Sequence, residues 1–346
     1  MPVSCVVPPT VLLEIARRGT PDQRTWALWT LATDTSLRTF RAVAAVRPAG
    51  LVAAPLTGPS DTPKRTVYDG AGQEQLPGKL VRDEGTATTG DEAVDEAYDG
   101  LGATFDFYLH SYERHSIDDQ GLPLLATVHY GDHYDNAFWN GSQMVFGDGD
   151  GELFQRFTRS LDVIGHELTH GVTEDEARLT YLGQSGALNE SISDVFGTLV
   201  KQYHLGQTAE AADWLIGAEL LAPGVHGVAL RSMKAPGTAY DDPVLGKDDQ
   251  PATMAGYVHT TADNGGVHTN SGIPNHAFYL AATALGGKAW EVAGRVWYDA
   301  LRDSRLKPTA QFHTFATTTV RVAKQAFDND VASAVRDAWQ QVGVIR

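Results

Sequence analysis

The sequence predicts an α+β protein of two lobes that meet at a cleft, with a small helical segment ahead of them. Three observations lead there. Short β-prone runs and turn residues crowd the stretch from Val67 to Gly151, whereas helical periodicity dominates from Ser160 onward. Strands early and helices late describe segregated α+β layers rather than alternating α/β units. A stretch rich in Pro, Gly, Ser and Thr, RPAGLVAAPLTGPSDTPKRT, cuts both off from an earlier helical region. With 346 residues the chain is long enough for about two domains, each burying its own core.

The elements follow in order. Pro8 and Pro9 stand where a first helical turn tolerates proline, the amphipathic TVLLEIARR follows, and Gly19 is a natural stop. A second helix is expected over TPDQRTWALWTLATDTSLRTFRAVAAV. Residues 1–50 therefore read as a helical head and residues 51–66 as an exposed linker, the kind of segment where proteolytic nicking concentrates. Residues 67–160 read as a β-rich lobe, with LLATVHY as a strand and DEAVDEAYDGLGATFDFYLHSYERH as its one helix. Residues 161–346 read as a helical lobe, through DVIGHELTHGV, ALNESISDVFGTLVKQYHL, NHAFYLAATALGG, AWEVAGRVWYDALRD and finally AQFHTFATTTVRVAKQAF. No internal repeat is visible.

A hydrophobic fraction of 42% and a charged fraction of 20% describe a soluble globular chain. With 27 Lys and Arg against 43 Asp and Glu, the net charge of −16 argues against nucleic acid as a partner. One cysteine, Cys5, forms no internal disulfide. No apolar run approaches the roughly 20 residues of a membrane span. At the N-terminus Val6, Val7, Val11, Leu12 and Leu13 are interrupted by Pro8 and Pro9 and followed by Glu14, Arg17 and Arg18. That order reverses a secretory signal, so synthesis in the cytoplasm is expected, with export by an unconventional route left open.

The sharpest chemical signal is His166-Glu167-Leu168-Thr169-His170. Two histidines one helical turn apart can reach one metal from the same face, while Glu167 reaches a water instead of the metal. Such a string also arises by chance, so it needs company. Glu190, in ALNESISD, lies far enough on for a turn and a second antiparallel helix, and would complete a His, His, Glu set with one position left open, the mark of a catalytic zinc. Asp194, one turn further, could fix a histidine tautomer, or be a plain surface carboxylate. A third histidine at position 176 would define another zinc pattern, but that residue is Glu176. In ADNGGVHTN, His268 follows a Gly-Gly turn with Asp263 upstream to hold its ring, a weak signal by itself for an oxyanion donor.

HELTH, ALNESISD, NAFWNGSQMVFGDGDG, ALRSM and DNGGVHTNSGIPNHAF, in this order and at these separations, resemble the thermolysin family of zinc metallopeptidases. The helical head with its Pro-Pro pair, LPGKLVRDEG and AYDDPVLGKDDQP are similar to the protealysin-like branch, which carries a short prosegment. The resemblance implies a β-rich lobe and a helical lobe with a zinc cleft between them. It implies one catalytic zinc held by His166, His170 and Glu190, Glu167 as base, Tyr181 and His268 as oxyanion donors and Asp263 as the group orienting His268. Asn189 and Asp194 match partners of the zinc histidines. Arg231, Asn136 and the backbone of Ala137 match groups that align a peptide, and Phe154, Phe157, Val163 and Leu230 match a pocket for the apolar residue after the scissile bond. Core packing is the plainer reading of those four.

The implied activity is a monomeric neutral endopeptidase acting on peptides and proteins, made as a self-processing precursor with its own prosegment in the cleft. A zinc-dependent peptide-binding or adhesive protein that cleaves little is the alternative. Cys5, Pro8 and Pro9 are candidates for the prosegment lock, Cys5 either as a thiolate on the open zinc position or as a small buried hydrophobe. The chain departs from the family at the double calcium site: Asp162 and Asp213 remain, but the other positions read Lys201, Leu215 and Ala218. A lysine among the carboxylates repels calcium, so this site is expected to be lost, with calcium elsewhere left open.

Overall fold

The computed structural model describes residues 4–44 and 59–346. The expectations for residues 1–3 and 45–58, including the first half of the linker, lie outside the described residues. The chain opens with β1 (Ser4–Cys5), α1 (Pro9–Arg18) and α2 (Pro21–Ala44). Pro9 starts α1 with its missing N–H where no partner was needed, and the Gly19 N–H closes it on the Ile15 carbonyl. Gly19 is needed for space rather than for a left-handed turn, because a Cβ there would come within 2.8 Å of that same carbonyl oxygen.

The β-rich lobe contains β2 (Arg65–Asp69), β3 (Lys79–Asp83), α3 (Glu92–Tyr112), β4 (Leu124–Val128), β5 (Ala137–Trp139) and β6 (Met144–Phe146). They form one sheet in the order β1-β5-β6-β4-β2-β3, with β2, β4 and β6 mutually parallel and the remaining pairings antiparallel. The head thus contributes an edge strand, which covers backbone that β5 would otherwise expose. Asp91 caps α3 by accepting from the Ala93 and Val94 N–H groups, a contact contributing about 1 kcal/mol.

The helical lobe begins with α4 (Leu161–Glu176) and α5 (Gly183–Leu205), then carries the short strands β7 (Leu215–Ile216), β8 (Arg231–Ser232), β9 (Asp241–Asp242) and β10 (Gly246–Lys247). It ends in α6 (Asp263–Asn270), α7 (Gly272–Leu285), α8 (Ala293–Leu301), α9 (Phe312–Ala326) and α10 (Asn329–Gln341). The sequence reading stopped at Phe327 and missed α10. Its signals were present: Asp328 accepts from Asp330 and Val331 as an N-cap, and Ala332, Val335, Ala338 and Trp339 make one buried face. Trp339 stacks on Trp297 at 5.8 Å and donates to Thr319 at 2.9 Å, so this last helix closes the core.

Two glycines let α4 and α5 approach. A Cβ on Gly165 would lie 3.1 Å from the Gly197 Cα, and a Cβ on Gly197 would lie 2.3 Å from the Asp162 carbonyl oxygen and 3.0 Å from the His166 nitrogen. Those neighbours are backbone and cannot rotate away. Across the other face, Tyr108 of α3 hydrogen-bonds Thr169 of α4 at 2.7 Å.

His129, just after β4, joins three pieces of the β-rich lobe. Its Nδ1 is 2.8 Å from Asp148 and its Nε2 is 3.1 Å from Asp91, the cap of α3. The hydrogen bond to Asp148 outweighs partial burial and, with Asp91, raises the imidazole from 6.5 to about 9.

Two outcomes follow from this packing. Gly197→Ala is expected to destabilise the fold by about 1–3 kcal/mol through overpacking, and an unchanged melting temperature would contradict the close approach. A histidine raised in the folded state stabilises while protonated, in full below its unfolded value of 6.5 and no longer once pH passes about 9. His129→Asn should therefore melt below wild type at pH 6, with the gap narrowing through pH 8 and closing above about 9. A gap that is constant with pH would show that the ion pairs are not its source.

Candidate metal centre and cleft

His166 and His170 project from the buried face of α4, and Glu190 from α5. The His166 Nδ1 lies 2.8 Å from Asp194 Oδ1, and the His170 Nδ1 lies 2.8 Å from Asn189 Oδ1 and 3.0 Å from Ser193 Oγ. With each Nδ1–H committed to an oxygen, both Nε2 atoms present lone pairs. Those two Nε2 atoms face each other at 3.1 Å, and the Glu190 oxygens lie 3.6 Å from one and 3.5 Å from the other.

Three converging electron-rich atoms in a buried place repel unless a cation lies among them. Glu190 Oε2 has no hydrogen-bond partner, which fits a donor kept for a metal. Among the described residues these three form the one group of His, Cys, Asp and Glu whose ligand atoms all fall within 4.8 Å of one another. Two imidazole nitrogens and one carboxylate suit zinc with an open position. Burial, partly opposed by the Glu190 charge, lowers His170 to about 3 and keeps it a neutral ligand. Burial pushes the Glu190 carboxyl up, but the combined field of His268, His170 and His166 holds it below its usual value.

Glu167 points elsewhere than its neighbours. Its Oε2 accepts from the Trp139 N–H at 3.1 Å, and its Oε1 is buried without a hydrogen-bond partner. Burial, with the nearby Glu190 charge, pushes the carboxyl well above its ordinary value. A proton acceptor raised in this way is suited to take and return a proton.

His268 follows a left-handed turn in which Asp263, Asn264, Gly265 and Gly266 have φ of 49°, 50°, 85° and 74°. Positive φ is unfavourable at Asp263, and that residue is held by its own carboxylate, which accepts from the His268 backbone N–H and lies 2.8 Å from its Nδ1. Burial works against the charged ring, but Asp263 and Glu190 raise His268 above its usual value. Its Nε2 is 3.3 Å from Glu190 and 3.4 Å from Tyr181 Oη, and Tyr181 also hydrogen-bonds Glu190. Two donors thus face the region beside the ligand group.

Asp194 is fully buried and accepts from His166, twice from Arg231 at 2.8 and 2.9 Å, and from Asn275 Nδ2 at 2.8 Å. Burial opposes its ionisation, but Arg231 and His166 win and lower its carboxyl strongly. Asn136 and Ala137 lie at the start of β5, and Phe154, Phe157, Val163 and Leu230 are buried in the shared core, the two phenylalanine rings 6.0 Å apart.

The head enters this cleft. The Cys5 carbonyl accepts from His268 Nε2 at 2.9 Å and the Val6 carbonyl from Arg231 Nη1 at 2.8 Å. The Val7 N–H donates to Asn136 Oδ1 at 2.9 Å. Of the two readings of Cys5, thiolate on the open metal position or small buried hydrophobe, the packing fits the second. Its side chain packs with Tyr130, Tyr134, Phe138 and Val145 and is not part of the metal-ligating group, while its backbone carbonyl reaches the site. Pro8 and Pro9 cap and begin α1, which fixes where the strand must turn into helix.

Sequence reasoning missed several participants. The Trp139 N–H and Ser193 carry no motif by themselves. Asn275 was quoted within SGIPNHAF without a role. Asp34, buried in α2, accepts from Asn136 Nδ2 at 2.9 Å and from Tyr134 Oη, and nothing in its neighbourhood along the chain signals that.

Comparison with known proteins agrees with this geometry. Residues 58–174 match the family profile described as thermolysin metallopeptidase, catalytic domain, and residues 177–344 match thermolysin metallopeptidase, alpha-helical domain. An extracellular metalloprotease of Pectobacterium carotovorum subsp. carotovorum is 57% identical over 99% of this chain and 97% of its own length. A thermolysin of Alicyclobacillus acidocaldarius subsp. acidocaldarius is 40% identical over 80% of this chain and 50% of its own. The solved precursor of protealysin, a metalloproteinase from Serratia proteamaculans, superposes with a TM-score of 0.90 at 58% identity, covering 99% of both chains. A family match over both lobes, a donor set that fits zinc and a precursor-like head lead to one conclusion: the chain belongs to the thermolysin family, as a protealysin-like zinc metalloendopeptidase in precursor form.

Proposed function

We propose that this endopeptidase cuts on the amino side of apolar residues, with Glu167 as its proton shuttle, and that residues 1–50 hold it latent until it processes itself within residues 51–66. The observation that carries the reading is the buried His166, His170 and Glu190 donor set beside a raised Glu167 carboxyl with one unpartnered oxygen. These residues would hold zinc, which when bound supplies the Lewis acidity that activates water and polarises a carbonyl. Glu167 takes the proton from that water and returns it to the leaving nitrogen. Tyr181 and His268 donate to the developing oxyanion, with Asp263 fixing the His268 ring. Arg231 and Asn136 grip carbonyl and amide groups of the bound chain, as their bonds to Val6 and Val7 support. Ala137 adds its backbone carbonyl, 3.4 Å from the Val6 nitrogen. Asn189 and Asp194 keep the ligand tautomers, and Asp194 also braces Arg231. Phe154, Phe157, Val163 and Leu230 give the apolar preference.

The same bonds support the latent state, because Val6 and Val7 occupy the groups a substrate would need. Cys5 takes part through its carbonyl, Pro8 and Pro9 by setting the start of α1. Among the described residues no helix is long and apolar enough to cross a membrane. The relative from Pectobacterium carotovorum is named an extracellular metalloprotease, and that name supports action outside the cell; synthesis in the cytoplasm, release and a monomeric state belong to the same proposal.

The calcium expectation is part of this proposal. Lys201 Nζ lies 3.0 Å from both Asp162 and Asp213, so an ammonium ion supplies the positive charge beside those carboxylates. Burial opposes that charge, but Asp162, Glu219 and Asp213 keep Lys201 protonated.

Glu167→Gln should bind zinc with a stoichiometry of one, lose casein digestion by at least about 100-fold and keep its head in intact-mass measurements, while wild type sheds it. Digestion at the wild-type rate would remove Glu167 from its assigned role. Calcium added to zinc-loaded protein should leave the melting temperature unchanged, whereas a saturable rise lost in Asp162→Asn would restore the calcium site.

A further inference from the structure

The head lies in the cleft in a defined direction and register. β1 runs antiparallel to β5 with Cys5 opposite Phe138. Three consecutive residues then meet three different groups: the Cys5 carbonyl meets His268, the Val6 carbonyl meets Arg231, and Val7 is clamped by Asn136 through its N–H at 2.9 Å and its carbonyl at 3.4 Å. Of these carbonyls, only that of Cys5 is held by a group that also borders the metal ligands, since His268 Nε2 is 3.3 Å from Glu190 Oε2. The peptide bond leaving that carbonyl is Cys5–Val6.

We propose that the chain hydrolyses its own Cys5–Val6 bond and that the remainder of the head stays docked, giving a nicked precursor that is still latent. This rests on the endopeptidase reading and adds to it a bond separate from any processing between residues 51 and 66. Water adds its oxygen to the Cys5 carbonyl carbon and gives a proton to Glu167. The C–N bond then breaks as Glu167 passes its proton to the Val6 nitrogen, and the second proton of the water moves from the Cys5 carboxyl to the same nitrogen, leaving a carboxylate terminus on Cys5 and an ammonium terminus on Val6. No other reactant is required.

Retention after the cut follows from where the anchors lie. Val6 stays on Arg231 and Val7 on Asn136, and further anchors lie on the retained side. Val11, Leu12 and Ile15 are buried, Gln23 donates to Glu152 at 2.8 Å, Trp26 stacks on His133 at 4.1 Å, and Asp34 accepts from Asn136. On the released side the described contacts are those of Ser4 and Cys5. Among the described residues the cut gives up the β1 pairing and the Cys5 packing but keeps the anchors of α1 and α2, so the new amine remains in the cleft as a bound product.

The test uses the full chain throughout. Zinc-loaded wild type is followed by intact mass and N-terminal sequencing over a dilution series, beside Glu167→Gln, Val6→Asp and Val6→Leu. The expected result is a new N-terminus at Val6 in wild type and Val6→Leu, at a rate independent of concentration, and none in Glu167→Gln or Val6→Asp. A separate readout needs no cleavage: in zinc-free Glu167→Gln, amide hydrogen exchange at Val7 should be slow, and Val6→Asp should speed it at least about tenfold. Fast exchange at Val7 in the parent would show the strand is not seated and overturn the proposal. Protein that digests casein, yet yields a head still carrying the Cys5–Val6 bond, overturns the nick alone. Protein that digests nothing in any form overturns the endopeptidase reading first and the nick with it.

Discussion

The buried charge of Asp194 is the interaction on which the rest of the centre depends. A carboxylate with no exposure requires partners for its oxygens, and here His166, Arg231 and Asn275 supply them from three different elements. Removing one partner would leave an uncompensated buried charge, at about 3–5 kcal/mol. That requirement sets the His166 tautomer, turns its Nε2 toward Glu190 and fixes the Arg231 guanidinium, whose remaining nitrogen Nη1 reaches Val6. The candidate ligand His166 and the guanidinium that holds Val6 thus share one carboxylate. The close crossing of α4 and α5 at Gly165 and Gly197 makes the sharing possible, by bringing Asp194 and Glu190 of α5 against the histidines of α4.

The head exploits the same groups by imitation. It offers a strand to β5, carbonyls to His268 and Arg231 and an amide to Asn136, while α1 and α2 add apolar and polar anchors outside the cleft. Under the proposed latency, no lock at the metal is required, because the Cys5 side chain lies in the aromatic cluster while the backbone of the head meets the cleft. On that proposal the features which seat the head are those that would seat a substrate.

The legibility of the fold varied with the range of the interactions involved. The α4–α5 pair was readable because HELTH and ALNESISD are local patterns with a physical reason for their spacing. The last helix was equally local and was missed only where Asp328 and the Ala332, Val335, Ala338 and Trp339 face went unread. The bridge at His129 is different in kind. Asp91 and Asp148 are distant in the chain on either side, and no periodicity relates them. Asp34 on Asn136 likewise joins the head to the cleft through a contact that no segment announces by itself.

The sequence by itself determined which donors could share a metal: two histidines one turn apart, a glutamate further on and a carboxylate between the histidines. It could do so because metal ligation depends on residue type and short-range helical spacing, whereas Lys201 among the carboxylates gained meaning only through the family resemblance. Tertiary structure alone decided which atoms of the head meet the site. Whether Cys5 offers its thiol or its carbonyl is set by strand pairing with β5, since alternate residues of a strand face opposite sides. That pairing turns the Cys5 side chain into the aromatic cluster and leaves the backbone on His268.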